Sequence, residues 1–161
     1  YTNGYAVWSY RNYAHNDVYN SQFALGNRGW DVRRVRFVEH NGSRQALLEG
    51  GGRLSQAVKG GSGDGRFRNH VRFTADSDSP VTLSVKLDSQ VKDVVVDGQG
   101  RFDLDFGCSE YRQLCFMSDE DVYLDNICLY NFVQDGQLYD LDGNELSCLE
   151  GGRELNRMLK D

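Results

Sequence analysis

Apolar and polar residues alternate with a period of two along most of this chain, the spacing of a strand with one buried face. In Val81-Thr82-Leu83-Ser84-Val85-Lys86-Leu87 every second residue is apolar, and Arg101-Phe102-Asp103-Leu104-Asp105-Phe106 repeats the pattern with Phe102, Leu104 and Phe106 inward. Further strands are predicted over Asp31 to Glu39, Gln45 to Glu49, Leu54 to Lys59, Arg66 to Thr74, Val91 to Val96, Tyr111 to Met117 and Val122 to Tyr130. Turn-forming residues separate them: Asn41-Gly42, Gly50-Gly51-Gly52, Gly60 to Gly65, Asp76 to Pro80, Asp97-Gly98 and Ser118 to Asp121. Short strands at this spacing, with hardly any helical periodicity between them, predict an all-β jelly-roll sandwich of two antiparallel sheets.

The two ends read differently. Residues 1–17 carry Trp8 and several tyrosines without clean alternation, and form an extension or an extra strand ahead of a sandwich at 18–131. The tail, 132–161, is predicted to hold a hairpin on Asp142-Gly143 and a short helix over 153–160 with Leu155, Met158 and Leu159 on one side.

Composition narrows the function. The 18 basic residues stand against 24 acidic ones, a formal charge of -6, which argues against nucleic-acid backbone binding. No apolar run is long enough to span a membrane and no basic-then-apolar leader opens the chain, so its start at Tyr1 reads as a mature product or an excised module. The usage is heavy in Gly (18), Tyr (9) and Phe (8), a mixture common in extracellular β-domains that bind neutral ligands. The four cysteines, Cys108, Cys115, Cys128 and Cys148, lack zinc spacing. Cys108 and Cys115 flank a plausible hairpin loop, so either a disulfide ties its strands or the thiols stay reduced.

The order of these signals resembles a known family. Asn20-Ser21-Gln22-Phe23, then Gly29-Trp30, then Ala46-Leu47-Leu48-Glu49 followed by Gly51-Gly52-Arg53-Leu54-Ser55-Gln56-Ala57-Val58, is similar to the opening of the galactose-binding-like carbohydrate-binding modules attached to xylanases and cellulases. Those modules close with a strand of the form apolar-Tyr-apolar-Asp-Asn-apolar-x-Leu, which Val122 to Leu129 resembles. The resemblance covers Val18 to Asn131 and implies a secreted or cell-surface module that binds polysaccharide, with an attached catalytic module as a natural partner. It also implies that Trp30 is a core residue. Ala24 stands where the family carries an acidic residue that helps hold a structural calcium.

Asp125 shares a strand phase with Tyr123, Ile127 and Leu129, so alternation places its carboxylate among core residues. An unpaired buried charge costs several kcal/mol, and it must be offset by a cation, by backbone hydrogen bonds or by a place at the rim. The family resemblance implies a Ca²⁺ there; hydrogen bonding to neighbouring N–H groups or an Arg is the other reading.

Sugar recognition uses aromatic faces against C–H surfaces and planar amide, guanidinium and acidic groups against hydroxyls. Tyr111, Arg112 and Gln113 supply that inventory on one strand, and Trp8 and Tyr10 supply it near the amino terminus. With strict alternation Tyr111 and Gln113 point opposite to Leu114 and Phe116, away from the core. On that reading Tyr111→Ala weakens binding without unfolding the domain. Gln56 reaches either the binding face or solvent. A retaining glycosidase needs two carboxylates about 5 Å apart, and no strand carries such a motif; His15, His40 and His70 are scattered and no Gly-x-Ser-x-Gly elbow exists. The expectation is therefore a non-catalytic module binding a β-linked polysaccharide through an aromatic and amide-lined face, with salt-insensitive affinity for a neutral ligand. The alternative is a structural or adhesive subunit of an extracellular polymer that assembles by strand addition at its long ends.

Overall fold

The computed structural model describes residues 16–61 and 68–132, together with strand residues 138–139 and 145–146. Eight strands build the sandwich: β1 (Asp31–His40), β2 (Ser43–Gly61), β3 (Arg68–Asp76), β4 (Val81–Leu87), β5 (Gln90–Val96), β6 (Gly100–Asp105), β7 (Glu110–Ser118) and β8 (Val122–Phe132). A separate antiparallel pair joins β9 (Leu138–Tyr139) to β10 (Glu145–Leu146), in line with the predicted hairpin. Trp8, Tyr10, Cys148 and the predicted helix over 153–160 lie outside the described residues. Among the described residues no helix is long and apolar enough to cross a membrane.

The strands hydrogen-bond in the order β5-β4-β7-β2-β8-β3-β6, with β1 along the other side of β2. One strand serves both layers. Ala46 to Leu48 of β2 pair with β8, whereas Gly52 to Gly61 pair with β7. Sequence reading made two strands of this stretch, separated by a glycine turn. The glycines instead form a corner: Gly51 has φ +78°, and opposite it β1 carries a bulge at Arg34, itself at φ +52°. A Cβ on Gly52 would lie 2.9 Å from the Arg34 carbonyl oxygen, so glycine there lets the two bent strands stay paired through the corner. At the far end Asn41 and Gly42 both take positive φ, the geometry an Asn-Gly hairpin turn requires.

The apolar faces predicted from alternation meet between the layers. Leu54, Val81, Leu83, Val85, Leu87, Leu114 and Phe116 come from one sheet; Leu48, Val71, Phe73, Val122, Leu124, Ile127 and Leu129 come from the other. Phe73 packs edge-on against Phe116 across the interface and stacks on Phe102 within its own sheet. Trp30 is buried as expected, its ring 5.6 Å from that of Phe23 and its indole N–H donating to the Asn20 carbonyl at 3.2 Å.

The amino-terminal segment is stitched to β8 through backbone and amide groups. The Asp17 N–H donates to the Leu129 carbonyl, the Leu129 N–H donates to Asn16 Oδ1, and the Ile127 N–H donates to the Ser21 carbonyl.

Candidate functional site

A cleft lies at the paired ends of β2 and β7, where β2 finishes and β7 begins. Val58, Lys59, Gly60 and Gly61 face Glu110, Tyr111 and Arg112 there, around an open cleft of about 570 Å³, within the range of small-ligand sites. Its shape comes from two interruptions of regular pairing. On β2 the register shifts between Ala57, opposite Gln113, and Gly60, opposite Tyr111, so Val58 and Lys59 together oppose Arg112. On β7 the consecutive N–H groups of Arg112 and Gln113 both donate to Asp88 Oδ1, at 3.0 and 2.9 Å. Two successive donors aimed at one acceptor break the pleat.

That break corrects the expected orientation of Tyr111. Tyr111 and Leu114 both face the core, while Arg112 and Gln113 are both exposed. Only 1% of Tyr111 is accessible. Its ring lies over the backbone of Gly60 and Gly61, and its hydroxyl donates to Asp17 Oδ2. Burial first, and then the neighbouring Asp17 carboxylate, push the phenol well above its ordinary pKa, against a smaller opposing effect of the Gly61 backbone. Tyr111 is thus a wall of the cleft from within, not an aromatic platform for a sugar.

The other expected ligand residues divide. Arg112 lines the cleft; Gln113 is exposed on the same strand but is not among its lining residues. Gln56 is buried, and neither alternative considered for it holds. Its Oε1 accepts from the Tyr19 N–H at 2.8 Å and its Nε2 donates to the Tyr19 carbonyl at 2.9 Å. The side-chain amide imitates a neighbouring strand and pins the amino-terminal segment in place. Lys59, Gly60, Gly61 and Glu110 were not recognised as cleft residues from sequence, where the glycines read as the start of a turn rather than as the end of β2.

Asp125 also departs from strict alternation. Thr74 pairs with Asp125 and Arg72 with Cys128, so the two residues between on β8, Asn126 and Ile127, oppose Phe73 alone. Asn126 sits at φ +51° in this bulge. Leu124 and Ile127 therefore both point into the core, and Asp125 belongs to the outer face, covered to 5% exposure. Its Oδ2 accepts from Ser43 Oγ at 2.8 Å, its Oδ1 from the Asn126 N–H at 2.8 Å, and its carbonyl from Thr74 Oγ1 at 3.1 Å. Ca²⁺ takes six to eight oxygen ligands, whereas these neighbours present donors, and among the described residues no three or more acidic, His or Cys side chains cluster. The surroundings of Asp125 do not fit a calcium cage.

Among the described residues no disulfide joins Cys108, Cys115 and Cys128 to one another. The residues between Cys108 and Cys115 belong mostly to β7 rather than to a hairpin loop, so the two cysteines lie along one extended chain. At about 3.3 Å per residue their separation far exceeds the roughly 7 Å a disulfide tolerates between Cα atoms.

Beyond Asp125 the outer face of the β8-β3-β6 sheet carries a line of charge pairs. His40 stacks on Tyr123 with centroids 3.7 Å apart and contacts Asp76 Oδ2 at 2.7 Å. Asp103 meets both Arg72 and His70, and Asp105 meets Arg68 and the Gly107 N–H. Burial pushes the Asp103 and Asp105 carboxyls upward, but the hydrogen bonds from these partners outweigh it and hold both below the usual carboxylate range. A carboxyl depressed by folding contributes stability that is complete above its unfolded pKa, about 4, and is lost as pH falls through the folded value. Thermal melts should thus show a fall in stability from about pH 4 downward that shrinks in an Asp103→Asn, Asp105→Asn double variant. An unchanged acid limb in that variant would contradict the assignment.

No protein-family model matches the chain, and a search of curated proteins finds no match. Solved structures do match. TmCBM61, determined in complex with β-1,4-galactotriose, aligns with a TM-score of 0.54 at 16% identity, covering 73% of this chain and 99% of that one. A CBM4 structure aligns at 0.52 and 16% identity, covering 71% and 99%. The arabinose-bound α-L-arabinofuranosidase MgGH51 aligns at 0.57 and 10% identity over 74% of this chain but only 26% of that one. Strand order, the bent β2 and these alignments together establish that the chain has the jelly-roll β-sandwich fold found in carbohydrate-binding modules.

Proposed function

We propose that the chain is a non-catalytic carbohydrate-binding module of a secreted protein, holding a β-linked polysaccharide at the cleft between the end of β2 and the start of β7. The observation that carries this reading is an open cleft of about 570 Å³, flanked by the exposed side chains of Lys59, Glu110 and Arg112, on a fold shared with TmCBM61 over nearly all of that module's length. The cleft suits an extended chain laid across it rather than a sugar enclosed in a pocket. Among the described residues that line it, Glu110 is the only carboxylate, whereas hydrolysis of a glycosidic bond needs two. The bound galactotriose of TmCBM61 is β-linked, which supports the choice of linkage.

A glycan array run with and without EDTA tests the proposal. Binding to at least one β-linked glycan, unchanged by chelation, is the expected result. Absence of binding to every glycan would overturn the functional reading, and EDTA-sensitive binding would restore a calcium requirement.

One observation favours assembly as a second reading. The edge strand β5 pairs with β4, leaves its other side open among the described residues, and exposes Val91 and Val95, the features of a strand open to addition. Sedimentation distinguishes the two, with a monomer at micromolar concentration expected for the module.

A further inference from the structure

The charges around the cleft go beyond a generic sugar site. Lys59 is the exposed residue of the β2 bulge that lies opposite Arg112, because Val58, the other residue of the bulge, faces the core. The bulge thereby sets two cations against each other across the β2–β7 ladder, both lining the same cleft. Like charges directly opposed on a sheet destabilise it. Elsewhere Arg36 pairs with Glu49, Arg68 with Asp105 and Arg72 with Asp103, and the opposed Arg33 and Arg53 of β1 and β2 are not among the residues that line the cleft. Neither Lys59 nor Arg112 makes an ion pair among the described residues, and Glu110, although it lines the cleft, makes none either.

Resting on the carbohydrate-binding reading above, we propose that the cleft selects an anionic glycan, whose carboxylate or sulfate group sits between Lys59 and Arg112 while Glu110 accepts a hydrogen bond from a sugar hydroxyl. A planar guanidinium beside an ammonium suits an oxyanion with more than one acceptor oxygen. This replaces the salt-insensitive neutral ligand expected from composition. The formal charge of -6 works against an anion at long range, yet at physiological ionic strength charges beyond about 8 Å are largely screened. At contact distance the two local cations therefore dominate, and the net charge acts mainly to slow the encounter.

The test is calorimetry on the whole chain with three oligosaccharide probes: oligogalacturonate, a sulfated oligosaccharide and a neutral β-galactan. Tighter binding of oligogalacturonate or of the sulfated probe than of the neutral one is expected, and which of the two binds identifies the source of the anion. Raising salt from about 0.01 M to about 1 M shortens the screening length from about 30 Å to about 3 Å and should weaken that binding at least tenfold. A Lys59→Met, Arg112→Met double variant should lose about tenfold or more in affinity. A control that removes two cations elsewhere, Lys86→Met with Arg101→Met, should lose much less. Because all four substituted side chains lie outside the core, folding is checked simply by circular dichroism. Neutral galactan bound as tightly as the anionic probes and independently of salt would overturn the anion preference while leaving carbohydrate binding intact. Equal losses in the double variant and the control would overturn the site. Failure of every probe to bind would overturn the function and this inference together.

Discussion

Tyr111→Ala is expected to destabilise the fold by about 3–5 kcal/mol, the usual cost of truncating a buried aromatic, instead of weakening ligand binding on an intact domain. The ring is fully enclosed by the core and by the backbone of Gly60 and Gly61, and its hydroxyl is committed to Asp17. Removing it opens a cavity directly behind the cleft and takes away the hydroxyl that donates to Asp17. Against a domain stability of about 5–15 kcal/mol, such a loss moves the urea midpoint far enough to be read without ambiguity. Tyr111→Phe keeps the ring and loses only the hydrogen bond to a carboxylate, at about 1.5–3 kcal/mol. A Tyr111→Ala protein that unfolds at the wild-type midpoint would place the side chain outside the core, and would contradict the break in the β7 pleat.

Gly61→Ala carries the second large effect, for a different reason. Gly61 has φ +77°, where an L-residue pays about 1–2 kcal/mol. A Cβ at this position would also overlap the Ser109 carbonyl oxygen and press on the Tyr111 ring and the Glu110 backbone. Backbone cannot swing aside as a side-chain tip can, so β2 and β7 must separate at their ends. The expected outcome is a loss of about 2–4 kcal/mol in chemical denaturation together with loss of glycan binding, since the separating strands are the walls of the cleft. Gly98→Ala is the control: that glycine is also at positive φ, but a Cβ there meets nothing within 4 Å. Its cost should stay near the backbone penalty alone. Equal effects at the two positions would mean that the close approach of β7 to Gly61 does not constrain the fold.

The strands were legible in the sequence because their alternation is clean where pairing is regular. Val81 to Leu87 contributes every second residue to the core as its pattern says, and Asn41-Gly42 turns as its chemistry demands. Reading failed where the backbone leaves the pleat. A break in the pleat of β7 reverses the phase between Tyr111 and Leu114, and a bulge on β8 reverses it between Leu124 and Ile127. In each case the break moved a candidate, Tyr111 inward and Asp125 outward. Nothing in the local sequence marks these irregularities: on β7 the shared acceptor is Asp88, in the β4–β5 turn, and on β8 the shift is set by pairing with β3. Gln56 escaped for a similar reason, because its partner Tyr19 lies far away in the chain. Arg112 was a ligand candidate by residue type alone, since strict alternation gives it the inward phase of Leu114 and Phe116; its exposure follows from the broken pleat, and only the β2 register brings Lys59 opposite to it.

The central claim, that glycan binds at the junction of β2 and β7, is tested most directly by following backbone amide resonances of the ¹⁵N-labelled chain during titration with a bound oligosaccharide. The account expects the largest shifts at Lys59, Gly60, Gly61, Glu110 and Arg112, with little change at His40, Tyr123 and Asp125 on the outer face of the other sheet. Shifts concentrated on that outer face, with the β2 and β7 ends unmoved, would contradict it.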